Sequence, residues 1–551
     1  MIAATSRAAL LLFALLAIGT FGSCANTPPT TLDEALDLIR EQPLRSHYRW
    51  LADDERDGRA PGEPGYDVSA EYVIEQFALM GLQPAGTDGW FQHVPLRSYE
   101  AIGDTAEFII HGADGDIAFT YRDDFGVFGD PVALSTRVRA EVVYVGYGVH
   151  APELGYSDYE GIDVRGKIIA VYSGTPEHFE GVQRAYYRSS TNKRREAVAR
   201  GAVGTITLRS RKAEQRSSWD EIKGRIGRRA LMTWVDFAGE AARHFPELRG
   251  GVSLSPRAAE ILFTDTPLSY EDTLTAMEAA EVRSAPLGVE VSIARESVHR
   301  DLSSPNIVGL VRGTDPELAD EYVIYTAHLD HLGAREVDGV RKIYNGAYDN
   351  AMGVALMLET ARVFAALPPR RSVLFVAVTG EERGLLGSDY FVNNPVVPID
   401  SIVANINLDM PLFLYPVADL VTFGSEGSSL QAVAAKAAAV EGFVFSQDPL
   451  PEETRFIRSD QYSFIRAGVP AIYLVPGFKS KDEEIDGASL YRAFLDRHYH
   501  EATDDLQQPV HWGSALRFAR AHARLGYAVA SDRQRPTWDR GSFLGERFAP
   551  P

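Results

Sequence analysis

The apolar run Ser372-Val-Leu-Phe-Val-Ala-Val378, followed at once by Thr379-Gly-Glu-Glu-Arg-Gly-Leu-Leu-Gly387, constrains the fold more than any other stretch. A charge-free run of this length, closed by glycine, reads as a strand buried on both faces of a parallel sheet. Glu381 and Glu382 then stand at the carboxyl end of that strand, where open α/β sheets gather their chemistry. Adjacent carboxylates repel and lose solvation there unless a cation or a shared proton compensates.

Strand and helix alternate along the rest of the second half. Glu321–Ala327, Ser401–Leu408, Asp419–Phe423 and Pro470–Val475 read as strands, and Asp349–Ala366 and Ser514–Ala530 as helices. That order predicts an α/β fold, with a mixed, mostly parallel sheet covered by helices on both faces. Upstream, Thr31–Asp53 and Val68–Met80 carry helical periodicity, the second closed by Gly81. Between about Thr136 and Glu290 the pattern changes to short strands and glycine turns, as in a mostly β module inserted into the main domain. Ser210–Arg229 is basic and polar and reads as a solvated loop.

The 551 residues suffice for two to four domains, and 55 basic against 76 acidic side chains give a formal charge of −21. That balance argues against nucleic acid and against a polybasic membrane contact. Cys24 is the only cysteine, so neither an intrachain disulfide nor a multi-thiolate metal site can form. Met1–Ser23, with Arg7 and the apolar run Ala8–Ile18, reads as a bacterial signal peptide. Its end, Phe21-Gly-Ser-Cys24, resembles a lipobox, whose cysteine is lipidated after cleavage. Cleavage nearby by an ordinary signal peptidase is the alternative, because Phe21 replaces the usual small aliphatic residue. The expectation is an exported protein of the periplasm or cell envelope, touching membrane only through an anchor at Cys24.

Further ligand-type residues stand at strand ends or just beyond: His328 and Asp330, Asp349 before a helix, Asp409, Asp460 and His500. All can converge on one sheet edge. Imidazole and carboxylate without thiolate suit zinc, and less selectively manganese or cobalt. Two divalent ions about 3.5–4 Å apart need a carboxylate between them. One glutamate of the pair can bind metal while the other serves as general base. Asp330, two residues after a histidine ligand, suits the task of orienting that imidazole.

Ala327-His-Leu-Asp330, Gly346-Ala-Tyr-Asp-Asn350, Gly380-Glu-Glu382, Asn407-Leu-Asp-Met410, Ser459-Asp460 and Tyr499-His500 resemble peptidase family M28, the co-catalytic zinc peptidases. The resemblance implies two zinc ions, with Asp349 bridging, His328 and Asp409 on one, and Glu382 and His500 on the other. It makes Glu381 the base and Asp330 the residue that holds His328. Gln461 departs from the histidine often found after Ser-Asp, which bears on substrate contacts rather than on metals. Val145-Gly-Tyr-Gly148, Asp158-Tyr159, Gly166-Lys167 and Gly201-Ala202 resemble a protease-associated domain. The implied layout is a signal peptide over 1–23, a tether and the start of the peptidase domain over 24–135, and the insert over 136–290. The catalytic domain follows over 291–535, and a tail over 536–551. His331 and His498 read as structural or solvent-facing, and Asp504 as a candidate support for the ligands.

The implied function is an exopeptidase acting on peptides, by family frequency an aminopeptidase. A carboxypeptidase would need a cation aimed at the substrate's terminal carboxylate, for which Arg455, Arg458 and Arg466 lie near in sequence. The M20 metallohydrolases place their insertion beyond the Glu-Glu motif, whereas here it lies upstream of His328. A single-zinc glutaminyl cyclase would not need the full ligand set. A receptor-like binding protein on the same fold is the rival of another class, and failure to take up zinc would favour it. Oligomeric state is not legible.

Overall fold

The computed structural model describes residues 28–112, 115–227, 230–281 and 283–550. The stretch read as a signal peptide and Cys24 lie outside them. No described helix is long and apolar enough to cross a membrane.

Ser372–Val378, Tyr322–His328, Ile402–Asn407 and Ala471–Pro476 lie side by side in that order as parallel strands. Every residue of all four is buried, as their uncharged sequences require. Alternate side chains serve opposite faces. Val373, Phe375 and Ala377 join a core shared with the helices Pro64–Met80, Met352–Ala366 and Trp512–Ser531. Leu374, Val376 and Val378 face Leu386–Asn393 and Gln461–Arg466 instead. The flanks are antiparallel: Ala285–Val311, Phe91–Ala101 and Leu231–Trp234 on one side, Asp419–Phe423 on the other. The expected mixed sheet covered on both faces is therefore present, parallel through its centre, and the carboxyl ends of its central strands form one edge.

Two local expectations change. The single helix read over Thr31–Asp53 is two, Leu32–Leu36 and Glu41–Leu51. Pro43 has no N–H and is tolerated only in a first turn, so a helix must start just before it. The loop read over Ser210–Arg229 contains the helices Arg211–Arg216 and Trp219–Ile222. Ser210 caps the first, and Ser218 with Glu221 forms a capping box on the second.

A second sheet carries the inserted unit, with Ser135–Tyr144, Ile168–Tyr172, Gly204–Leu208 and Gly251–Leu254 as parallel neighbours. Its core also takes in Phe108, Ile110, Phe125 and Val127. The expected start at 136 thus falls inside the unit, because the strands before it bury their apolar face in this core. Helices such as Gly181–Arg188 and Ser190–Ala199 stand beside the strands. The expected end at 290 is no boundary either. Ala285–Val311 is one strand of 27 residues. Its first part pairs with Ser135–Tyr144 and Glu107–Gly112, its second with Phe91–Ala101 and Ser372–Val378. The insert is clipped on again at Asp389, which accepts from Trp234 Nε1 at 2.9 Å and pairs with Arg243 and Arg466.

Candidate metal centre

Each expected ligand leaves the sheet at the edge where the parallel strands end. His328 is the last residue of its strand, and Asp409 follows Ile402–Asn407 by two. Asp349 lies in the turn leading into Met352–Ala366, and His500 follows the helix Gly487–Arg497. His328 Nε2 stands 3.1 Å from Asp349 Oδ1 and 3.1 Å from Asp409 Oδ1. His500 Nε2 stands 3.3 Å from Asp349 Oδ2 and 3.1 Å from Glu382 Oε2. The two oxygens of Asp349 thus face two different ligand sets.

The surroundings fix these groups in place. Asp504 accepts from the N–H groups of Tyr348 and Asp349 at 2.9 and 3.1 Å, which holds the turn carrying the shared carboxylate. Asn350 donates to Leu408 O at 2.9 Å and accepts from Met410 N at 3.1 Å, tying that turn to the one bearing Asp409. Ser459 Oγ donates to Asp409 Oδ2. Tyr499 stacks on His500 with ring centres 3.8 Å apart.

Asp330 does something other than expected. The imidazole Nδ1 of His328 meets the main-chain oxygen of Asp330 at 3.0 Å, while the Asp330 carboxylate lies 4.0 Å away. That carboxylate instead accepts from the N–H groups of Glu381 and Glu382, at 3.1 and 3.3 Å. It orients the turn of the glutamate pair, and the backbone orients the imidazole.

His331 is the residue that the sequence reading undervalued. It is buried, and its Nδ1 comes within 2.7 Å of Glu382 Oε1. Two imidazoles therefore converge on Glu382 where one was expected. Its place three residues after His328 puts it near the site but does not mark it as buried. His498, by contrast, hydrogen-bonds the Thr503 hydroxyl at 2.9 Å, outside the cluster.

The glutamate pair is divided by its partners. Glu382 faces His331 and His500, whereas the Glu381 carboxylate accepts no hydrogen bond among the described residues and lines the open cleft. Burial drives the Glu381 carboxyl well above the usual range, with Asp409 and Glu382 adding to the effect against the pull of His328. Burial works against a charged His500, but Glu382 and Asp349 lift its imidazole to about 10.

The donors fit divalent ions. His328, Asp349 and Asp409 can present one ligand atom each within 4.8 Å of one another, and so can His331, Asp349 and Glu382. Although 2.7 Å apart, Glu382 Oε1 and His331 Nδ1 are not aligned for a hydrogen bond, and both atoms are buried without another partner. Buried orphaned donors and crowded carboxylates are costly unless a cation joins them.

Arg59 builds the floor. Wholly buried, it donates to four main-chain oxygens: Leu329 and Gly346 at 2.9 and 3.0 Å, Leu51 and Asn345 at 2.6 Å each. It joins the N-terminal helices to both loops that carry His328 and Asp349. Arg59→Met would strand those oxygens and is expected to destabilise the fold by at least about 3 kcal/mol. Chemical denaturation would read this as a lower midpoint; an unchanged midpoint would remove Arg59 from this role.

The model of peptidase family M28 matches residues 306–526. A probable zinc metalloprotease of Pyrenophora tritici-repentis (strain Pt-1C-BFP) is 36% identical over 104 residues, 19% of this chain and 23% of that protein. Aminopeptidase YwaD of Bacillus subtilis (strain 168) is 34% identical over 109 residues, 20% of this chain and 22% of that protein. These matches span less than a quarter of either relative's length. An aminopeptidase from Aneurinibacillus sp. strain AM-1 has the same fold, with a TM-score of 0.51 at 18% identity over 92% of this chain and 97% of that one. The matched segment contains the central parallel strands and His328, Asp349, Glu382, Asp409 and His500. Residues 306–526, which carry every one of these ligands, thus resemble peptidase family M28.

Proposed function

We propose that the chain is an exported, dinuclear zinc exopeptidase, and specifically an aminopeptidase. The observation that carries the metal count is Asp349, whose Oδ1 faces His328 and Asp409 while its Oδ2 faces His500 and Glu382. In this reading His328 and Asp409 hold one ion, Glu382 and His500 the other, and Asp349 both, with His331 beside Glu382. Zinc bound there would polarise the scissile carbonyl and lower the pKa of a bound water. Glu381, without a side-chain partner among the described residues and open to the cleft, takes the proton from water and returns it to the leaving amine. Asp330 holds the Glu381 backbone for that transfer, and Asp504 steadies the Asp349 turn.

The aminopeptidase reading draws on the relative of that name in Bacillus subtilis. Export draws on the leader-like sequence before Cys24, and an inserted protease-associated domain on its glycine motifs. A carboxypeptidase is the second reading, supported by Arg455 and Arg458 in the cleft. Arg466 does not serve it, being engaged with Asp389. Hydrolysis of matched peptides with free, N-blocked and C-blocked termini separates the two. An aminopeptidase loses its substrate on N-acetylation; undiminished cleavage of the N-acetylated peptide, with loss on C-amidation, would reverse the assignment.

A further inference from the structure

The metal centre lies at the inner end of a cleft of about 800 Å³, where Asp349, Glu381 and Asp409 form part of the lining. The outer wall comes from the inserted unit, including its helix Gly181–Arg188. For a chain of charge −21 this cleft is unusually cationic, with eight basic side chains against five acids outside the metal centre. Several of these charges are already matched: Arg211 pairs with Glu271 and Glu278, and Arg216 and Arg458 with Glu453.

Four arginines are not. Among the described residues, Arg184, Arg188, Arg455 and Arg492 have no carboxylate partner. Arg184 donates to the main-chain oxygen of Glu177 at 2.6 Å, and Arg188 to that of Glu452. Arg492 sits over the Phe478 ring at 5.2 Å. Arg455 donates through Nη1 to Tyr491 Oη, while its Nη2 is buried with no acceptor among the described residues. A buried guanidinium with an idle donor is costly, and an arriving anion would relieve that cost. The planar fork of arginine matches a carboxylate in particular.

We infer that this cleft selects peptides bearing a carboxylate away from the scissile bond, bound between Arg184 and Arg188 of the inserted unit and Arg455 of the peptidase domain. The inference rests on the hydrolase reading above and gives the inserted unit a direct part in substrate choice. The carboxylate could be a free C-terminus or an acidic side chain. Two peptide pairs distinguish the sources, Leu-Gly-Gly against its C-terminal amide, and Leu-Gly-Glu amide against Leu-Gly-Gln amide. In at least one pair the carboxylate-bearing member should have the higher kcat/KM, by roughly tenfold. Raising salt from about 0.05 to about 0.5 M should shrink that ratio, because exposed charges are screened.

Arg184→Gln/Arg188→Gln, on an accessible helix, should lower the ratio at least threefold, and Arg455→Gln should do so independently. Ratios near one in both pairs for the parent chain, or ratios unmoved in both variants, would overturn the inference. Calorimetric binding of the same four peptides to Glu381→Gln reads the preference without turnover. Preferential binding without hydrolysis by the zinc-loaded parent would retain the cleft and discard the hydrolase. Hydrolysis with equal binding of each pair would do the reverse.

Discussion

Glu381→Gln is expected to retain the fold and metal of the parent chain while its peptide turnover falls about 10²–10⁴-fold, the usual contribution of a positioned acid–base group. The reason lies in how the neighbouring acids are occupied. Asp349 and Asp409 meet His328, Glu382 meets His331 and His500, and the Asp330 carboxylate is taken by two backbone N–H groups. Of these five carboxylates, only that of Glu381 lacks a hydrogen-bond or ion-pair partner among the described residues. Desolvation at the cleft wall raises its proton affinity, which is what a group that must take and return a proton needs. Glutamine keeps the size and removes the basicity, so metal content measured by emission spectroscopy should not move. Turnover within threefold of the parent would take the role of base away from Glu381.

Exhaustive chelation should abolish hydrolysis and also lower the temperature of unfolding, and zinc should restore both. The second effect follows from the crowding of Asp349, Glu382 and Asp409 with buried imidazoles. Without a cation, the repulsion among those carboxylates is offset by the imidazoles of His328, His331 and His500. A ligand bound to the folded state alone, at about 100 times its Kd, contributes about 2.7 kcal/mol of stability. Scanning calorimetry with and without chelator would show it. Full activity and an unmoved transition in a metal-free preparation would count against the whole metal centre, and with it the enzyme.

The centre of the fold was legible because a strand buried on both faces must be apolar throughout, and Ser372–Val378 has no other use for its composition. The glutamates beyond it, His328, Asp349 and Asp409 could be located because strand ends are a small set of places. What each side chain does there was less legible. Spacing put Asp330 near His328, but the chain turns so that the main-chain oxygen reaches the ring and the carboxylate reaches the next strand end. His331 was hidden by its neighbours, since nothing in His328-Leu-Asp-His331 tells a buried imidazole from an exposed one. The start of the inserted unit was missed because Phe108, Ile110, Phe125 and Val127 alternate like any half-buried strand, without saying which core they face. The cationic cleft was illegible for a deeper reason. Its arginines come from segments hundreds of residues apart, and within a chain of net negative charge each reads alone as a solvated cation.

The strand Ala285–Val311 has a mechanical consequence. Two units joined by a flexible tether can swing about it, but these two share one strand, which pairs with Ser135–Tyr144 up to Glu296 and with Phe91–Ala101 from Ser297 onward. Relative rotation would have to bend that strand at the residue where it changes partners or break its pairing on one side, which opposes a wide hinge motion. The insert acts as a fixed jaw. Under the proposed function, a peptide would then be admitted by rearrangement of the long side chains that line the cleft rather than by its walls parting.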